Sequence, residues 1–211
     1  MSAFTIILPH KRNPGNDAAL RIALDCLMTN TRHDFHLLMD AAVNEPLFPR
    51  VNRLIRQAQT DCIVYWSSDM FPAPGWDVPM LAAWNPDTFV TLVLVEPGVI
   101  GLHGNNIKQD FGRKPETFRR AAFETWCETF DPGSNEGWFA PYMVSRERVL
   151  ALGGLQEHGL EGDHQGFTGA DELLFERHKA AGGKVIRARS FAYHLQRWSE
   201  VDEQAASKRE G

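Results

Sequence analysis

Cys62-Ile-Val-Tyr-Trp-Ser-Ser-Asp-Met-Phe-Pro-Ala-Pro-Gly-Trp76 opens with five apolar or aromatic residues and breaks off at Ser67-Ser68-Asp69. A short apolar run bounded by turn residues is the pattern of a buried strand. Upstream, Val51, Leu54, Ile55 and Ala58 recur at helical spacing, and before them Phe35-His-Leu-Leu-Met39 reads as another strand, ending in Asp40. Asp17 to Asn30 carries Leu20, Leu24 and Leu27 on one helical face, with Asn16 as a plausible cap. Phe4-Thr-Ile-Ile-Leu8 reads as the first strand, stopped by Pro9, and Lys11 to Asn16 is a polar turn. The order is β-α-β-α-β, which predicts parallel strands joined by right-handed crossovers. Ligands bind such sheets beyond the carboxyl ends of the strands. Three polar groups fall there: the His10 to Asn13 turn, Asp40 and Asp69.

The second half is less regular. Val78 to Trp84 reads as a short helix, Thr88 to Val95 as a strand and Glu96 to Lys114 as a long loop. Loops of that length in a compact domain are often functional. Pro115 to Thr129 is expected to be helical, with Phe118, Ala122 and Trp126 on one face. Arg146 to Leu152 is a short helix ended by Gly153-Gly154, and Asp171 to Ala181 a helix stopped by Gly182-Gly183. Lys184 to Ala188 is a late strand, followed by Tyr193-His194. One domain over residues 1–198 is expected, with a polar tail over 199–211.

Composition bounds the function. The 211 residues are 43% hydrophobic and 23% charged, as in an ordinary soluble domain. A net charge of −5 argues against a protein that relies on sequence-independent phosphate contacts along a nucleic acid. No apolar stretch is long enough to span a membrane. The apolar start, Met1 to Leu8, is too short for a signal-peptide core and lacks a basic lead, so a cytoplasmic location is expected. Cys26, Cys62 and Cys127 form no paired motif; buried free thiols are expected rather than a zinc site or disulfides.

An acid placed directly after a buried strand is presented at the sheet edge. A magnesium or manganese ion needs oxygen ligands and commonly takes only one or two protein carboxylates, with phosphates and water completing its shell. Bound there, it neutralises a diphosphate leaving group. Asp69 suits that role, although an aspartate ahead of Pro72 and Pro74 is also a common turn residue.

The segment resembles the family 2 glycosyltransferases of the GT-A fold, whose third strand runs into a motif like Asn-Asp-Asp and then Pro-Gly-Trp. Asp69 matches the last acid and Pro74-Gly75-Trp76 the end; Ser68 stands where an acid is usual. Ile6-Ile-Leu-Pro9 resembles the opening strand. Gly153-Gly-Leu-Gln-Glu157 and Gly169-Ala-Asp-Glu-Leu-Leu-Phe-Glu-Arg177 resemble later segments, with Ala170 in place of a usual acid. The resemblance spans about residues 4 to 195. It implies a single α/β domain of GT-A type, a Rossmann-like mixed sheet flanked by helices. It also implies metal-dependent transfer of a sugar from a nucleotide-sugar donor, a UDP-sugar in the usual case, with Mn2+ or Mg2+ as cofactor.

By the same resemblance, Pro9, His10, Lys11, Arg12 and Asn13 contact the nucleotide with Ser68 and Asp69, and Asp40 reads the base. His194 joins Asp69 at the metal, or is a partly buried histidine. Asp171, early in a helix whose dipole favours its anion, is the base of an inverting transfer, or a helix cap. Glu96, Trp138 and Glu172 are acceptor-side candidates, Trp138 equally a core residue. The acceptor is a glycan or another hydroxyl compound. A phage-type DNA acceptor would call for Arg113, Lys114, Arg119 and Arg120 beside the cleft. Two other readings stay open: a nucleotidyltransferase, and a relative that binds sugar nucleotides or glycans without turnover.

Overall fold

The computed structural model describes residues 2–41, 45–98, 106–132, 140–156 and 170–195. Strand β1 (Phe4–Pro9) is buried along its whole length, and Ile6, Ile7 and Leu8 are sealed from solvent. Burying such side chains contributes about 1.5–3 kcal/mol each. Helix α1 (Pro14–Asn30) follows. Its cap is Asn13, whose side chain accepts from the Asn16 backbone N–H, rather than Asn16 itself, because Pro14 supplies the first helical residue. Strand β2 (Phe35–Asp40), helix α2 (Leu47–Gln57) and strand β3 (Cys62–Tyr65) complete the expected unit. Both β2 and β3 pair with β1 in parallel.

The remaining elements are β4 (Met70–Pro72), α3 (Asp77–Ala83), β5 (Thr88–Glu96) and β6 (Ile107–Lys108). A 3-10 turn (Pro115–Thr117), α4 (Arg120–Thr129) and β7 (Tyr142–Ser145) follow. Helices α5 (Arg146–Ala151) and α6 (Ala170–Ala180) and strand β8 (Lys184–His194) come last. The strand order is β2-β1-β3-β7-β5-β8-β4, with β6 against β5. Strand β7 runs antiparallel between β3 and β5, while β8 is parallel to β5 and antiparallel to β4. The sheet is therefore mixed.

Three differences from the sequence reading follow from local chemistry. The helix expected from Pro115 is interrupted before Arg120, and its buried stripe is Phe123 and Cys127, with Ala122 exposed. Strand β8 continues through Arg187 and Arg189 to His194, with Ser190 to Tyr193 buried in succession where the strand lies between β5 and β4. Strands β4, β6 and β7 were not anticipated. The three cysteines are free and buried, and burial pushes the Cys26 thiol up to about 12. Among the described residues, no helix is long and apolar enough to cross a membrane.

The sheet carries α2, α5 and α6 on one face, packed on Ile7, Ile63 and Val144. On the other, α1 and α3 cover Ile6, Leu8 and Val64. Asp77, wholly buried at the start of α3, fixes the entry into β2. It accepts from the backbone N–H groups of Arg32 (3.0 Å) and His33 (2.9 Å), and His33 Nδ1 lies 2.7 Å away. Asp77→Ala strips these donors of their acceptor and should cost about 2–4 kcal/mol. Urea unfolding checks this: the midpoint should fall with an unchanged slope.

Candidate functional site

The turn from Ser67 to Trp76 is built by its aromatic residues. The Trp66 indole N–H donates to the Met70 carbonyl (2.9 Å) and that of Trp76 to the Thr31 hydroxyl (2.9 Å), while the two rings pack at 4.7 Å. Gly75 adopts φ +68°, a left-handed conformation that favours glycine, and its N–H donates to the Asn30 carbonyl (2.7 Å). This explains Pro74-Gly75-Trp76 as a rigid anchor. It leaves Asp69 at the C-terminal end of β3, with the Ser67 hydroxyl donating to Oδ1 (2.5 Å).

Strand register then brings the partners in. Met70 is paired with His194 across β4 and β8, and the Leu195 N–H donates to the Asp69 carbonyl (3.2 Å). On the other side of β8, Val95 is paired with Tyr193, which sets Glu96 beside the same histidine. His194 Nε2 lies 3.4 Å from Asp69 Oδ2, and Nδ1 lies 2.7 Å from Glu96 Oε1. The second Glu96 oxygen accepts from the Asn106 amide (3.0 Å). Burial disfavours charge on both Asp69 and His194, but their attraction outweighs it. The Asp69 carboxyl is held down to about 2 and the His194 imidazolium persists up to about 10.

No group of three or more His, Cys, Asp or Glu side chains suited to a metal occurs among the described residues. The Asp69–His194 pair nevertheless fits a dication. Two adjacent ligands of one octahedral ion, each about 2.1 Å from it, are about 3 Å apart. The 3.4 Å between Oδ2 and Nε2 is close to that spacing. Diphosphate and water would supply the other ligands, and metal would displace the proton on Nε2.

The other strand ends form a second polar corner. Arg50 of α2 is buried, and one of its Nη atoms donates to the carbonyls of His10 (2.8 Å) and Asp40 (2.5 Å). Its Nε is 3.5 Å from Asp40 Oδ1. Arg53 donates to the other Asp40 oxygen and to Glu45 (2.6 Å). His10 is buried with Nε2 2.6 Å from Asp17, and its Nδ1 has no hydrogen-bond partner among the described residues. Pro9 is buried, Lys11 and Arg12 are exposed, and Asn13 is engaged as the cap of α1. Ser68 is half-buried beside Asp69. Asp40 is thus presented inside a pair of guanidinium groups, which sequence reading missed. The available signal was two arginines three residues apart on the helix that returns to β3.

Asp171 lies inside the first turn of α6, which begins at Ala170. Burial pushes its carboxyl up to about 6, opposed by the Ala140 backbone N–H and a long hydrogen bond from the Tyr142 hydroxyl (3.4 Å). Burial also raises the neighbouring Tyr65 phenol, further disfavoured as an anion by the charges of both Asp171 and Asp69. One side chain at the end of β3 therefore senses both carboxylates. Glu172 is exposed, and Trp138 lies outside the described residues. Of the basic residues that a DNA acceptor would call for, Arg113 pairs with Asp110, Arg119 donates to the Asp110 carbonyl, and Arg120 pairs with Asp25 and Glu124.

No protein-family profile matches the chain, and no curated protein sequence matches it. Solved structures do share its fold. Two of them are GalNAc-T7 with UDP, GalNAc and Mn2+, and S. aureus TarS 1-349 in complex with UDP-GlcNAc. The first is 12% identical with a TM-score of 0.52, aligned over 92% of this chain and 44% of its own. The second is 9% identical with a TM-score of 0.54, aligned over 93% and 61%. This chain thus spans about half the length of these two proteins. Its mixed sheet, flanked by helices, has the GT-A fold that they also carry.

Proposed function

We propose that the chain transfers a sugar from a nucleoside-diphosphate sugar, with UDP the first candidate, to an acceptor hydroxyl, inverting the anomeric centre. The observation that carries this reading is the Asp69–His194 pair, donor atoms 3.4 Å apart at the carboxyl edge of the sheet. Asp69 and His194 would hold Mn2+ or Mg2+, whose charge offsets that developing on the departing diphosphate. The Pro9–Asn13 turn and Asp40, beside Arg50 and Arg53, form the nucleotide side, with Ser68 near the phosphates. Asp171 accepts the proton of the attacking hydroxyl as its oxygen bonds to the anomeric carbon and the bond to the diphosphate breaks. A carboxyl near 6 is ionised at neutral pH and still basic enough to take that proton. Glu172, exposed next to Asp171, and Trp138 are the acceptor-side residues of this reading.

Thermal melting with UDP-, GDP- and TDP-sugars, with and without Mn2+, tests it. A true donor at about a hundred times its Kd adds about 2.7 kcal/mol, which for a chain this size raises the melting temperature by roughly 5–10 °C. The rise should require Mn2+ and be accompanied by release of nucleoside diphosphate. Stabilisation without any release would mark a non-catalytic binder. No response to any of the three donors would refute the proposal.

A further inference from the structure

We infer that Glu96 is a positioning residue for His194: its carboxylate holds Nδ1–H, so that Nε2 is the nitrogen turned toward Asp69. The inference rests on the donor site proposed above. It starts from the register, since β5 runs parallel to β8 with Val95 opposite Tyr193 and so delivers Glu96 beside His194. The Glu96 side chain is 4% exposed. A carboxylate that buried is tolerated only when its oxygens are hydrogen-bonded, and both are: Oε1 to His194 Nδ1 at 2.7 Å and Oε2 to the Asn106 amide at 3.0 Å. Its backbone is fixed as well, because the Gln109 N–H donates to the Glu96 carbonyl (2.9 Å).

An ionised carboxylate only accepts hydrogen bonds. Nδ1 must therefore carry hydrogen, and when the ring holds a single proton the lone pair sits on Nε2. That is the nitrogen 3.4 Å from Asp69 Oδ2. A carboxylate behind a ligating histidine orients the ring and raises its basicity, and removing such a partner typically weakens metal binding about 10–100-fold. An amide oxygen in the same place keeps the acceptor while losing the charge.

The test compares wild type, Glu96→Gln and Glu96→Ala, each as the full chain. Mn2+ affinity is read by electron paramagnetic resonance without nucleotide, the His194 ring by long-range proton–nitrogen NMR of the metal-free protein, and folding by melting in EDTA. Wild type and Glu96→Gln should show a slowly exchanging, downfield Nδ1 proton on His194, and Glu96→Ala should lose it. Mn2+ affinity should fall about 10–100-fold in Glu96→Ala and less than about 5-fold in Glu96→Gln. Absence of that proton in wild type overturns the inference, as does a folded Glu96→Ala that binds Mn2+ as wild type does. A lowered melting temperature with unchanged Mn2+ affinity overturns it too, since that is a structural role. A wild type with the held proton but no Mn2+ affinity defeats the metal reading under Proposed function and supports the positioning of the ring by Glu96.

Discussion

Asp69→Ala is expected to lower sugar transfer by at least about 10³-fold. Charge stabilisation by a bound dication contributes several kcal/mol to a transition state, and each 1.36 kcal/mol is tenfold in rate. Asp69 supplies the carboxylate after β3 that faces His194 Nε2, and Ser68 next to it has no charge to substitute. The variant should also lose the Mn2+-dependent part of the thermal shift with a donor, while any metal-free shift, assigned in the proposal to the Asp40 corner, survives. Its imidazolium loses a partner but keeps Glu96, so folding should persist. Turnover within tenfold of wild type, in the presence of Mn2+ and donor, would remove Asp69 from the mechanism.

Asp171→Asn should move activity and stability in opposite directions. Loss of a general base typically lowers kcat/KM about 10²–10⁴-fold. Stability should rise instead. The native carboxyl titrates near 6, above the ordinary aspartate value near 3.8 that the unfolded chain retains. Between those values the native state binds the extra proton, so this residue's contribution is fully present below about pH 4 and is lost as pH rises through 6. Asparagine has nothing to ionise and escapes that loss. The gain should be about 2–3 kcal/mol at pH 7–8 and vanish below pH 4. Urea titrations at pH 3.5 and 7.5 read it directly. A variant no more stable than wild type at pH 7.5 would mean that the carboxylate is comfortably solvated. The pH dependence of wild-type kcat/KM should rise through about 6.

The first half of the fold was legible because its strands are buried on both sides and read as unbroken apolar runs: Phe4 to Leu8 and Cys62 to Trp66. The edge strand β2 alternates more, yet Phe35 to Met39 still sufficed. The missed strands lack that signal. Strand β4 is three residues ending in proline, tolerated at a sheet edge, and β6 is two residues. Strand β7 is four residues that pair on both sides with elements distant in sequence.

The site divides the same way. Asp69, Asp40 and Asp171 could be located because strand and helix ends announce themselves in the sequence. Their partners could not: the Asp40–Arg50–Arg53 corner and the Glu96–His194 contact arise from tertiary register. Local pattern carries no information about which strand lies next to which.

Strand β8 lies inside the sheet, between β5 and β4, and joins Thr88 to Lys184 and Met70 to His194. Pairings this far apart in sequence form late and slowly. During synthesis, the ribosome will have released the βαβαβ unit, Asp69 and Glu96 well before the histidine that lies between those two acids. Until then β4 and β5 present unpaired edges, which are open to aggregation. The nascent chain would cover both edges and bring His194 between Asp69 and Glu96 in one event, the docking of a single strand.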